Sequence, residues 1–135
     1  MTGSIEEVIP LEEQAIHLSP RDPQIALRYA RIGLARLLQS RTDEAILWLE
    51  KARSANPEHW FAHAALASAY GLKGETERAA AELAEGRRLR GEGFASSIAQ
   101  VRARVREEYG AVPETRALFE ATYFVGMRKA GVPEE

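Results

Sequence analysis

Apolar residues recur at intervals of three and four along most of the chain, while long polar/apolar alternation is missing, so the pattern predicts helices and gives strands almost no support. Glu6 to Leu18 reads as a first helix, with Val8, Leu11, Ala15 and Leu18 on one face and Pro10 either in its first turn or delaying its start. Ser19 to Pro23 is a turn in which Asp22 can cap and Pro23 suits the first helical position. The helix that follows runs to about Gln39. Ile25, Tyr29, Ile32, Gly33 and Leu37 form its main face, and Leu27, Leu34 and Leu38 widen it until two faces want contacts. Thr42 or Asp43 caps a third helix ending near Ser54, which buries Ala45, Ile46, Leu49 and Ala52 and leaves Trp48 to cover a neighbouring unit. Asn56-Pro57 repeats the cap-then-proline device before a helix to Leu72, and Gly74 separates that from a helix over Glu75 to about Arg88.

Beyond the glycine-bearing link Arg90 to Gly93, Phe94 to Tyr109 predicts a helix with Ile98, Val101 and Val105 on one face. Pro113 opens the last one, which carries Ala117, Leu118, Ala121, Phe124 and Val125 on one face and Phe119, Tyr123 and Met127 on its flank. Gly131 and Pro133 stop it. The expectation is an all-α short solenoid of antiparallel helix pairs, about seven helices in one domain.

Within this series one unit is written twice at a spacing of 34 residues. Ile32-Gly33 matches Leu66-Ala67, Ala45 matches Ala79, and Leu49 matches Leu83. Tyr29, Ile32, Gly33, Ala45, Leu49 and Pro57 fall on the W-x2-L-G-x2-Y, A-x3-F and P pattern, and His63, Leu66, Ala67, Tyr70, Ala79 and Leu83 do so again. Arg36 stands in place of the second aromatic in the first unit, and Gly91 in place of the terminal proline in the second. The chain thus resembles the tetratricopeptide repeat family. On that resemblance, residues 6–20 are the second helix of an incomplete repeat, 23–57 and 57–91 are repeats, and 94–131 is a degenerate closing pair. A half unit at the start suggests a piece of a longer protein.

Composition narrows the chemistry. The 135 residues suit one domain with an ordinary core. Eighteen basic and twenty acidic side chains nearly cancel, which argues against general attraction to nucleic acid or an anionic membrane. With no cysteine there is neither a disulfide framework nor a thiolate metal site, and no stretch is apolar enough to span a bilayer, so a cytoplasmic protein is expected. His59-x3-His63 has zinc-like spacing but lacks an evident third ligand. Arg87, Arg88, Arg90, Arg102, Arg104 and Arg106 concentrate positive charge among glutamates 82, 85, 92, 107 and 108, as solvated helix faces do. Gly91-x-Gly93 lacks the strand of a phosphate loop, and no nucleophile or acid/base pair stands out. Neither a catalytic residue, a metal nor a cofactor is expected.

The resemblance implies a binding groove lined by the first helix of each unit. Leu27, Ala30, Arg31 and Leu34 would then sit beside Phe61, Ala64, Ala65 and Ser68, an apolar surface with one arginine that suits a protein partner offering an amphipathic helix. Two occupants fit equally: a foreign helix, or this chain's own last helix or that of a symmetry mate. A second option is a homodimer through Phe119, Tyr123, Phe124 and Met127. The ending from Phe119 to Glu134, with the linker Leu18 to Pro23, also resembles the carboxy-terminal region of proteobacterial adenylate/guanylate cyclase-like proteins. None of the cyclase's metal-binding or base-recognition residues has a matching motif here, so that resemblance implies a non-catalytic interaction segment beside a class III cyclase domain.

Overall fold

The structure, a computed structural model, describes residues 5–91, 93–109 and 112–135, and no strand occurs among them. The helices are α1 (Ile5–Leu18), α2 (Ile25–Leu38), α3 (Thr42–Ala55), α4 (Trp60–Lys73), α5 (Thr76–Arg90) and α6 (Ile98–Tyr109). The last is a continuous rod of α7 (Pro113–Leu118), a π-helical turn (Phe119–Tyr123) and α8 (Phe124–Lys129). Neighbours in sequence pack as neighbours in space, α1 on α2, α2 on α3, α3 on α4 and α4 on α5. α6 breaks the series and packs against α8. None of these helices is long and apolar enough to cross a membrane.

The 34-residue register is visible in the backbone. At Asp22-Pro23 and at Asn56-Pro57 the Asx side chain accepts the N–H two residues on, Gln24 at 2.8 Å and Glu58 at 3.1 Å. This Asx turn occupies the residues that a cap and first helical turn would have used, so α2 starts at Ile25 and α4 at Trp60, later than the prolines predict. Helix ends repeat as well. The N–H of Arg41 donates to the Arg36 carbonyl and that of Glu75 to the Tyr70 carbonyl, the six-to-one bond of a Schellman ending. Its left-handed residue is Gly74 (φ 85°) in the second unit and Ser40 (φ 64°) in the first. Each ending runs directly into the next helix, which makes Arg41 and Glu75 the N-cap residues. Thr42 and Asp43 therefore cap nothing, and the Asp43 carboxylate accepts a bond from Lys73 of α4 at 2.6 Å.

Three further expectations give way to packing. Pro10 lies inside α1, beyond its first turn. The face of α1 that covers α2 holds buried Ile5 and Ile9 and half-buried Ile16, while Leu11 and Leu18 of the predicted face are exposed. Trp48 stays within its own unit, 5.9 Å from the Tyr29 ring. Phe94 precedes α6 instead of starting it. Its ring lies on Gly86 of α5, where a side chain would overlap it, and 5.8 Å from Trp60. α6 begins at Ile98, whose N–H donates to the Pro133 carbonyl at 2.7 Å, and Ala99 does the same to Glu134 at 3.1 Å. The tail thus satisfies amides that a helix start otherwise leaves open.

A non-glycine residue in the left-handed region costs about 1 kcal/mol, and Ser40 is exposed. Ser40→Gly is expected to raise unfolding free energy by about 0.5–1 kcal/mol, measured as a higher urea midpoint with unchanged slope. An unchanged or lower midpoint contradicts the shared-cap description.

Candidate functional site

The chain's own last helix lies over the surface of α2 and α4 that was expected to form a groove. Ala30 and Leu34 of α2 and Ala64, Ala65 and Ser68 of α4 are all buried, Leu27 and Phe61 are half-buried, and the π-helical turn packs against both helices while α8 runs along α4. Glycines set the closeness of that crossing. A Cβ on Gly126 would overlap the carbonyl and hydroxyl oxygens of Ser68, and one on Gly71 would overlap the carbonyl of Gly126. The Ser68 hydroxyl donates to the Tyr123 carbonyl at 2.8 Å, at the end of the π-helical turn. Arg31 is exposed and pairs with Glu12 of α1 at 3.3 Å, beside Arg28, which reaches both Glu12 and Asp22.

This occupant corrects the reading of the last helix. Phe119, Tyr123, Phe124 and Met127, expected as a dimer surface, are between 1% and 4% exposed within the single chain. The rings of Phe119, Tyr123 and Phe124 form a cluster with centroids 5.6 to 6.1 Å apart. Ala117 and Ala121, grouped with Phe124 on one face, are exposed, whereas Phe124 is buried. The buried positions Thr115, Phe119, Thr122, Gly126 and Ala130 keep a three-and-four spacing along the rod, on the flank of the predicted face. Thr115, Thr122 and Gly126 take the inner positions instead, with the Thr122 hydroxyl donating to the Leu118 carbonyl at 2.6 Å.

A polar cluster missed by sequence reasoning ties α3, α4 and α5 together. His63, 3% exposed, lies with Nδ1 2.5 Å from a Glu82 carboxylate oxygen and Nε2 2.6 Å from the Pro57 carbonyl. A carbonyl only accepts and an ionised carboxylate only accepts, so both nitrogens carry protons and the ring is an imidazolium. The hydrogen bond to Glu82 raises the His63 pKa above its ordinary 6.5; burial opposes it, and the Pro57 carbonyl and the charges of Glu82 and Glu85 support it. Arg53 of α3 pairs with the other oxygen of Glu82. Glu82 is therefore buried in the core, where charge pattern placed it on a solvated face. Nearby, the Tyr70 hydroxyl donates to Glu50 at 2.6 Å and accepts from Arg78 at 3.1 Å, and burial, then that carboxylate, pushes its pKa up to about 12.

With both nitrogens committed, His63 has no lone pair for a metal, and no cluster of three His, Cys, Asp or Glu able to hold one occurs among the described residues. His59 is half-buried, not exposed as its first-turn position predicts, and its Nε2 has no hydrogen-bond partner. Burial, then the charge on His63, lowers its pKa. The basic concentration is dispersed: Arg88 pairs with Glu85 and Arg102 with Glu120, while Arg90 and Arg104 lie over the Trp60 ring at 4.5 and 5.1 Å.

Because the folded-state pKa of His63 exceeds the unfolded 6.5, its contribution is fully present below pH 6.5 and lost as pH rises through the raised value. His59 acts in the opposite sense, but only at and below pH 6.5. Urea unfolding is therefore expected to show stability falling from neutral to alkaline pH in the native chain and not in His63→Gln. His63→Ala should cost about 3 kcal/mol below pH 6.5 by leaving the buried Glu82 with Arg53 alone. Parallel alkaline profiles for the native chain and His63→Gln would refute the imidazolium assignment.

No family model, no curated protein and no solved structure matches this chain, so its function has to be argued from its own geometry.

Proposed function

We propose that this chain is a non-catalytic helical-repeat module of the tetratricopeptide type that mediates protein–protein contact, with its contact surface on α1. The repeat reading is supported by the two Asx turns and the two Schellman endings that recur at the 34-residue spacing of the sequence signature. The contact reading is carried by one observation: α1 holds two large apolar side chains, Leu11 and Leu18, in solvent. On the stripe Val8, Leu11, Ala15 and Leu18, which has the three-four-three spacing of a helix–helix seam, Val8 and Ala15 are half-buried, Val8 against this chain's core, while Leu11 is 64% and Leu18 74% exposed. In a solenoid each unit buries its apolar face against the next, so a helix open on one such face is placed to receive another. The cyclase resemblance of the flanks adds a finer reading, in which the module stands beside a class III cyclase domain and the contact serves signalling.

The partner of this reading is an apolar helix, now received by α1 and not by the occupied groove. A photo-crosslinking residue placed at Leu11 or Leu18 in the native host should give a discrete protein adduct, whereas the same probe at exposed Ala81 of α5 should not. Mass spectrometry of the adduct separates a foreign protein from a second copy. Adduct yields at positions 11 and 18 no higher than at 81 would end the proposal.

A further inference from the structure

The 34-residue register runs back through α1 and gives each of its faces a counterpart in the later units. Ile9 falls in the register of Asp43, Glu12 in that of Ile46 and Ile16 in that of Glu50. In α3 this face meets the helix that follows, where Asp43 accepts from Lys73 and Glu50 from the Tyr70 hydroxyl, both of α4. In α1 it meets α2: Ile9 is buried, Ile16 packs on the core, and Glu12 pairs with Arg28 and Arg31. α1 thus sits on α2 as α3 sits on α4.

The same register assigns the other face. Leu11, Ala15 and Leu18 correspond to Ala45, Leu49 and Ala52 of α3, and Leu11 and Ala15 to Ala79 and Leu83 of α5. Those five residues of α3 and α5 are at most 3% exposed, for α2 packs on α3 and α4 on α5. The α2–α3 pair is antiparallel, with Tyr29 beside Trp48, Gly33 beside Leu49 and Arg36 beside Glu44. It sets large against small, since a Cβ on Gly33 would overlap the Leu49 side chain. α1 offers the equivalent seat with the sizes exchanged. Ala15 stands where the two later units carry leucine, and Leu11 and Leu18, 64% and 74% exposed, stand where α3 carries alanine.

From this exchange we propose that α1 receives one helix of a partner protein in the place that α2 takes against α3, and that this helix lays a large apolar residue over Ala15 between small residues over Leu11 and Leu18. The proposal rests on α1 being the contact surface and adds the shape of what it binds. Close-packed helices need side chains that interdigitate, so a leucine on the seat asks for a small residue opposite and an alanine for a large one. A second copy's α1 repeats the same large-small-large order, and the Gly33 face of its α2 is already covered by α3.

The probes are two stapled 14-residue helical peptides, the length of α2, alike except for one face. The first carries A-x2-L-x3-A, the antiparallel complement of α1, and the second L-x2-A-x3-L. Each is titrated into the full chain while the methyl NMR signals of Leu11 and Leu18 are followed. The first should give saturable shifts with Kd on the order of 1 mM, and the second should bind about tenfold more weakly. In the variant with Leu11→Ala, Ala15→Leu and Leu18→Ala the preference should reverse, with far-UV circular dichroism confirming that the fold is kept. Equal binding of both peptides to the native chain would overturn the size match and leave α1 as a contact surface. No shift from either by about 10 mM would overturn the helix seat, while the crosslinking at positions 11 and 18 decides the contact surface independently. A dimer of the chain that Leu11→Glu abolishes would put a second copy on the seat and overturn the proposal as well.

Discussion

The backbone crossing of α4 and α8 is the constraint on which the rest of the structure depends. Gly71 and Gly126 remove the two side chains that would hold the helices apart, and Ser68 fills the remaining space with a hydroxyl that bonds the Tyr123 carbonyl. Closeness there brings Phe119, Tyr123, Phe124 and Met127 into the core. Each such burial is worth about 1.5–3 kcal/mol, and forcing one methyl group into a packed contact costs about 1–3 kcal/mol. The aromatic cluster thus outweighs any single steric insult at the crossing, and a Cβ there should displace the helix locally without expelling it. The tail extends the same arrangement, since Pro133 and Glu134 lie close enough to accept the first amides of α6.

Closure of the groove moves the functional question to other surfaces. A guest helix in the groove would have to displace this cluster and leave the Tyr123 carbonyl without its donor. The outer stripe of α1 asks for nothing to be displaced, because Leu11 and Leu18 already stand in solvent. The imidazolium of His63 plays a different part: it joins Glu82 of α5 to the turn before α4, and Arg53 extends the link to α3.

Much of the scaffold was legible in the chain. Repeated small and aliphatic positions gave the all-α solenoid and the spacing at which backbone turns and helix endings recur. What was not legible has physical reasons. Periodicity cannot choose between two apolar stripes on one helix, so Leu11 and Leu18 of α1 were placed inward with Val8, where Ile5 and Ile9 are the buried residues. The last helix is apolar over most of its girth, so periodicity grouped Ala117 and Ala121 with Phe124, while Thr115, Thr122 and Gly126 of its buried side carry no apolar signal. Glu82 reads as one of many charged residues near arginines, because its partners Arg53 and His63 arrive from other helices. Asx side chains and prolines look like helix starts whether they cap the helix or form a turn before it.

The claim that the last helix occupies the groove is tested most directly by through-space proton contacts across the crossing. Nuclear Overhauser effects between the α-protons of Gly126 and those of Ser68 and Gly71 are predicted in the native chain, because no side chain separates these backbones. Absence of these effects in an otherwise assigned spectrum, with α4 amides open to solvent exchange, would contradict the account.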